Sequence, residues 1–347
     1  MNNALRALLF VAAICGTARA AEPTHAIVRS DAKKIKATLA FEITTPDVGV
    51  AEWIVFVPYP PSIPSQHGIT AKFEPGGVEY MELSDRHRRV LRTIVPVKGK
   101  KSLEHKFEGK AEYEATLVGR KLERRESGKK YAPAETLTEQ SREFNLQSSP
   151  MYDFESDKFT DWLEEEELYR KKNESELAFA RRVFLTLKSE FTYDYQAEMN
   201  RCCSNVCEAG KSDCGGLAVL YASVMRANEI PARALAGCWA KSSKPGATLN
   251  GVRYSQVHIK AEVYVTDIGW IPIDLSSAIN HDKTAEGLQY FGNDKGDFLT
   301  MHVDPEITVD TTRFGEKTFN WLQQYHYYVA GKGKLTNTDY KITWTVE

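Results

Sequence analysis

Residues 210–222 read GKSDCGGLAVLYA. An acid precedes Cys214, two glycines follow it, and Leu217, Leu220, Tyr221, Val224 and Met225 then recur at helical spacing. The run predicts a helix that begins at Cys214. Its sulfur then stands at the positive end of the helix dipole, where unpaired backbone N–H groups favour an anion such as a thiolate. In a first turn each glycine costs roughly 0.5–1 kcal/mol relative to alanine. Gly215 and Gly216 are therefore expected to clear an approach to the sulfur. The bland readings of Cys214 are a disulfide half and a buried filler, and its partners elsewhere in the chain decide between them.

A nucleophilic thiol needs a base and a group that orients the base. In VHIKAEVYV, residues 257–265, Ile259, Ala261, Val263 and Val265 share one face of a strand. His258, Lys260, Glu262 and Tyr264 share the other. A turn at TDIG returns the chain as WIPID, 270–274. With the turn centred near residue 266, His258 faces Asp274, the register of a carboxylate that accepts an imidazole N–H. The candidate catalytic set is Cys214 as nucleophile, His258 as base and Asp274 as orienting acid. The Cys214 backbone N–H is a candidate oxyanion donor, and Trp239, Asn205 and Gln196 are candidates for a second. His25, His67, His87, His105, His281, His302 and His326 show no paired spacing and are read as ordinary surface or core residues. Arg233 is read as a structural ion-pair residue, and Tyr264 and Trp270 as core or pocket wall.

Around this set the chain divides by pattern. Residues 21–125 alternate in short apolar runs such as KKIKATLAFEIT, with WIVFVP between them, broken by PYPPSIP and EPGG. They predict a β-sandwich-like domain. Residues 126–172 are polar, a linker holding one helix in SDKFTDWLEEEELYRKK. From 173 the order is helix, helix, strand, strand, strand, an α+β unit with helices packed on an antiparallel sheet, running to 310. Asn173 is its expected first cap, with Glu176 as capping-box partner. Residues 311–347 form a C-terminal β extension ending in DYKITWTVE.

Three blocks, SDCGGLAVLYASVMRANEIPARALAGC (212–238), VHIKAEVYV (257–265) and GWIPIDLSSA (269–278), resemble the transglutaminase-like core of the papain-like thiol enzymes. The resemblance spans roughly residues 175–280, under a third of the chain. It implies a papain-like α+β fold for that part, with Cys214, His258 and Asp274 in the three catalytic positions. Three positions depart from the family pattern. Ser212 stands where glycine is frequent. Glu229 stands at the glycine before Ile230-Pro231-Ala232-Arg233, so Asn228 is expected to take the left-handed helix end. Lys260 stands where an aromatic is common, which implies a lowered His258 pKa or a contact for an acidic substrate group.

Whole-chain properties set the context. The 347 residues are 42% hydrophobic and 27% charged, with 45 Lys+Arg against 47 Asp+Glu. That balance excludes a polyanion binder, and no nucleic-acid partner is expected. Residues 1–20, MNNALRALLFVAAICGTARA, read as a secretory signal cleaved before Ala21. The chain is thus expected to be exported, periplasmic or extracellular, with no later stretch able to span a bilayer. Five cysteines remain after cleavage, an odd number, so at least one thiol is free or paired with another chain. Up to two disulfides are expected among Cys202, Cys203, Cys207 and Cys238. No second cluster accompanies CCSNVC to make a zinc site, and no acidic calcium loop is present, so no metal or cofactor is expected. The expected function is an exported, cysteine-dependent peptidase or amidase acting through a thioester on a peptide or protein, cell-envelope peptide included. A glutamine-directed transamidase and a non-catalytic envelope binding module are the alternatives.

Overall fold

The computed structural model describes residues 24–97 and 105–347. The leader read at 1–20 lies outside the described residues. The strand His25–Thr44 pairs antiparallel with Lys106–Arg124 over most of its length. Its alternation has the expected consequence: Ile35, Ala37, Leu39, Phe41 and Ile43 are all buried. A second sheet centres on Val48–Pro58, flanked by Arg89–Pro96 and His326–Gly333. The two sheets close over one core that includes Leu39, Trp53, Val55, Tyr113, Leu117 and Trp344. WIVFVP is continuously apolar because both its faces are covered. Trp53, Val55 and Val57 enter the sandwich core, while Ile54 and Phe56 pack under the hairpin Ile307–Asp310 and Glu316–Phe319. The tail returns to this layer, where Asp339–Val346 pairs with His25–Thr44.

A third sheet is wholly antiparallel, in the order Gly269–Ile273, Val257–Val265, Ala232–Trp239, Phe298–Val303. The helix Cys214–Ala227 packs on one face, against Ala234, Ala236, Ile259, Ala261 and Val263. The helix Glu176–Glu190 adds Phe179, Val183 and Leu187 to the same core. The chain is therefore α+β, with helices on an antiparallel sheet and a β-sandwich before it. The opposite face of the third sheet carries Arg233 and Glu262, which meet the sandwich, and His258 and Lys260, which line a cavity. Glu262 bonds Arg120, from the strand Lys106–Arg124, and takes Arg233 Nε at 2.8 Å. Buried carboxylates persist only when paired in this way.

Three local expectations are corrected. The cap of Glu176–Glu190 is Ser175, whose hydroxyl accepts from Ala178 N at 3.2 Å, not Asn173. The preceding helix is confined to Asp157–Glu165. At the end of Cys214–Ala227 the left-handed residue is Glu229 (φ 58°), while Asn228 stays at φ −104°. Asn228 instead donates through its side chain to Val224 O and Leu168 O. No described helix is long and apolar enough to cross a membrane.

Candidate active site

Cys214 is the first residue of its helix, as its sequence predicts. Asp213 caps it, accepting from Gly215 N at 3.0 Å and Gly216 N at 3.2 Å. Arg201 Nη2 lies 2.7 Å from Asp213 Oδ2, so the capping charge is offset and does not repel an anion at the neighbouring sulfur. Among the described residues no acceptor takes the Cys214 backbone N–H. The glycines have a different reason from the expected one, because both are buried. A Cβ on Gly216 would stand 2.0 Å from Ser212 Oγ, and one on Gly215 would stand 3.2 Å from Ile259 Cδ1. They let the helix seat closely on its neighbours.

His258 Nε2 lies 3.0 Å from Asp274 Oδ2. The route to that contact differs from the expected register. The pairs Val265↔Gly269 and Ala261↔Ile273 centre the turn on residue 267, so the extended register sets Asp274 across from Lys260. Thr266–Ile268 form the three-residue connection, which lies one residue further along the chain than a turn centred at 266. Asp274 leaves the strand as the cap of Leu275–His281 and reaches His258 diagonally along the same face. Its Oδ1 accepts from Ser277 N at 3.0 Å and its Oδ2 from Ser277 Oγ at 2.8 Å. Two aromatics pack on the imidazole, and a third residue holds the His258 backbone. Trp239 stacks on the ring at 4.9 Å, Phe298 meets it edge-on at 6.1 Å, and Gln323 Nε2 donates to the His258 carbonyl at 2.7 Å.

Burial opposes charge on His258, but the Asp274 carboxylate, and after it the Cys214 thiol, raise its pKa well above 6.5. Burial would push Asp274 up, yet His258, Lys260 and the Ser277 N–H hold it below the usual carboxylate range. Lys260 therefore acts on the acid, and the lowered imidazole expected of it is not found. Its Nζ lies over Trp239 and Phe298 at 4.7 and 4.5 Å, and 3.4 Å from Asp294.

Cys214, His258 and Asp274 line one cavity of about 710 Å³, together with Tyr193, Tyr195 and Tyr254. Trp239 is also in the wall. Asn205 lies on the helix Cys203–Ala209 and Gln196 donates to Asp194 at 2.9 Å, and neither lines the cavity. Of the histidines read as unrelated, His281 stands on its rim. The three tyrosines were missed. Tyr193 is set by a short parallel pairing of Thr192–Tyr193 with Lys211–Ser212, two residues before Cys214. FTYDYQ, residues 191–196, held that information only as aromatics at an alternating spacing.

The expected disulfides are not present: all five described cysteines are free. Cys203 and Cys207 lie on one short helix, donating to Asp153 Oδ1 at 2.9 Å and Ser204 O at 3.2 Å. Cys238 belongs to the sandwich core instead. Burial raises the thiol pKa of Cys203 and Cys238, and that of Cys207 to about 11.

Residues 166–275 match the family model of the transglutaminase-like superfamily, and the chain carries a domain of that superfamily there. The chain shares its fold with a candidate cysteine protease from Cytophaga hutchinsonii, at 13% identity and a TM-score of 0.53, over 92% of this chain and 100% of that one. The periplasmic domain of TgpA from Pseudomonas aeruginosa aligns at 16% identity and a TM-score of 0.32, over 69% of this chain and 88% of its own. No curated protein matches the sequence.

Proposed function

We propose that the chain is an exported cysteine hydrolase that cleaves amides in peptides through a Cys214–His258–Asp274 triad. The observation that carries this reading is the 3.0 Å His258–Asp274 contact in the cavity that Cys214 enters from a helix N-terminus. The Cys214 sulfur, its proton passed to His258, attacks the amide carbon. The resulting oxyanion meets the Cys214 N–H. His258 gives the proton to the leaving amine as the C–N bond breaks, leaving an acyl thioester. Water then gives a proton to His258 and attacks the thioester, and the carboxylic acid departs as the sulfur recovers a proton. Asp274 fixes the ring so that Nε2–H points at the carboxylate and the other nitrogen is free for this work. Export rests on the leader-like residues 1–20 and places the substrate among extracellular or cell-envelope peptides.

The test is a panel of peptides and cell-wall fragments, with and without a fluorescent amine. New carboxyl termini, absent with Cys214→Ala, are the expected result. Incorporation of the amine in place of hydrolysis makes the chain a transamidase. Turnover that persists in Cys214→Ala, or binding without turnover by the native chain, defeats the reading.

A further inference from the structure

A second cavity, of about 300 Å³, opens where the sandwich meets the catalytic layer. Arg86, Arg88, Arg89 and Arg233 all contribute to its wall, and no aspartate or glutamate does. The carboxylates that partner these arginines stand behind them and are too few. Asp304 is shared by Arg86 and Arg226, and Glu262 by Arg120 and Arg233. Each is a fully buried single charge facing two guanidiniums. Asp304 is also saturated, since its other oxygen accepts from Tyr152 Oη at 2.7 Å and Ala234 N at 2.9 Å.

Several donors of these wall residues are left over. Arg86 gives only Nη1 to Asp304, and among the described residues its Nε and Nη2 have no acceptor. Arg233 directs Nε to Glu262 and leaves Nη1 without one. Its buried Nη2 lies 2.6 Å from Glu262 Oε2 but off the hydrogen-bonding direction. Arg88 is fully committed, to Glu82 and to the carbonyls of residues 303–306. Arg89 lies over Tyr59 at 3.8 Å, with Glu79 at 3.4 Å as its one carboxylate. An excess of buried positive charge is costly unless an anion offsets it. Planar guanidinium forks suit a carboxylate or phosphoryl group in particular. Tyr59, Pro61 and Phe144 close the remaining wall with apolar surface.

We infer that this cavity is an anion-binding site, distinct from the cysteine centre, that takes a phosphoryl or carboxylate group borne on a small apolar body. Arg86 and Arg89 supply the more exposed side of the grip and Arg233 the more buried side. The inference stands whether or not Cys214 is a nucleophile, because none of its residues belongs to that cavity.

The experiment is calorimetric titration of the whole protein with inorganic phosphate, and separately with succinate, at constant ionic strength. One saturable site is expected. Arg86→Gln and Arg89→Gln should each weaken it at least about tenfold, which is about 1.4 kcal/mol. Arg313→Gln, a remote surface arginine whose side chain is 55% exposed, should leave it unchanged. Tighter binding of phosphate than of succinate assigns the site to phosphoryl ligands, and the reverse assigns it to carboxylates. Arg89 lies on the rim with its side chain 37% exposed, so its variant keeps the fold if Arg86→Gln does not. Failure of both anions to saturate, or wild-type affinity in both variants, overturns the inference.

Discussion

Asp274 gives His258 one oxygen and fastens both of its own to Ser276 and Ser277, and this division governs how the site answers pH. The folded His258 pKa is raised, so its pairing stabilises the fold fully below about pH 6.5 and loses that effect as pH climbs towards the raised value. The folded Asp274 pKa is depressed, so its contribution is present above about pH 3.8 and is lost only on further acidification. Asp274→Asn should therefore lower the melting temperature more at about pH 6 than at about pH 9. A gap that widens towards alkaline pH contradicts the pairing. The same variant should lose about 10²–10⁴-fold in kcat and shift the alkaline limb of its rate profile to lower pH, since the carboxylate no longer supports the imidazolium. That Cys214, His258 and Asp274 share one cavity could be expected from the sequence, because Cys214 and His258 sit in local patterns that name their elements, although Asp274 arrives as a helix cap and not at the expected register. The tyrosines were not, because an aromatic beside a helix reads the same whether it fills a core or walls a cavity.

Helix seating tests the element scale. Gly216→Ala pushes a methyl group into Ser212 and Val206, and should cost about 1–3 kcal/mol in chemical denaturation. Adding Ser212→Gly should recover much of that loss, and no recovery would place the strain elsewhere. Apolar periodicity made the sheets and the Cys214 helix readable, since burial demands it. It did not decide the hairpin register, which turns on the residue at which the turn is centred. Nor did it decide the helix ends. Ser175 and Asn173 are both good caps, and it is the local bond from Ala178 N to Ser175 Oγ that shows Ser175 performs the task. Glu229 takes the left-handed position because Asn228 is already engaged with Leu168 and Arg170.

For the whole molecule, the decisive features are long-range and carry no local signature. Arg120 reaches from the sandwich to Glu262, and Arg120→Met should cost about 3 kcal/mol by leaving that carboxylate with Arg233 alone. An unchanged denaturation midpoint rules out a structural role for the bridge. The tail also reaches the candidate site. Trp344, fully buried, donates from Nε1 to Trp239 O at 2.9 Å, and Trp239 stacks on His258. Trp344→Ala should cost about 3–5 kcal/mol and lower activity in the fraction that stays folded. The alternation in DYKITWTVE signalled a strand, but its partner, some three hundred residues earlier in the chain, could be learned only from the fold.

The central claim is that Cys214 is activated by His258. Its most direct measurement is the iodoacetamide labelling rate at mildly acidic pH, with the site assigned by mass spectrometry. Rapid modification confined to Cys214 and slowed at least about tenfold by His258→Ala is the predicted result. Labelling of Cys214 no faster than that of a small free thiol, or equally fast without His258, contradicts it.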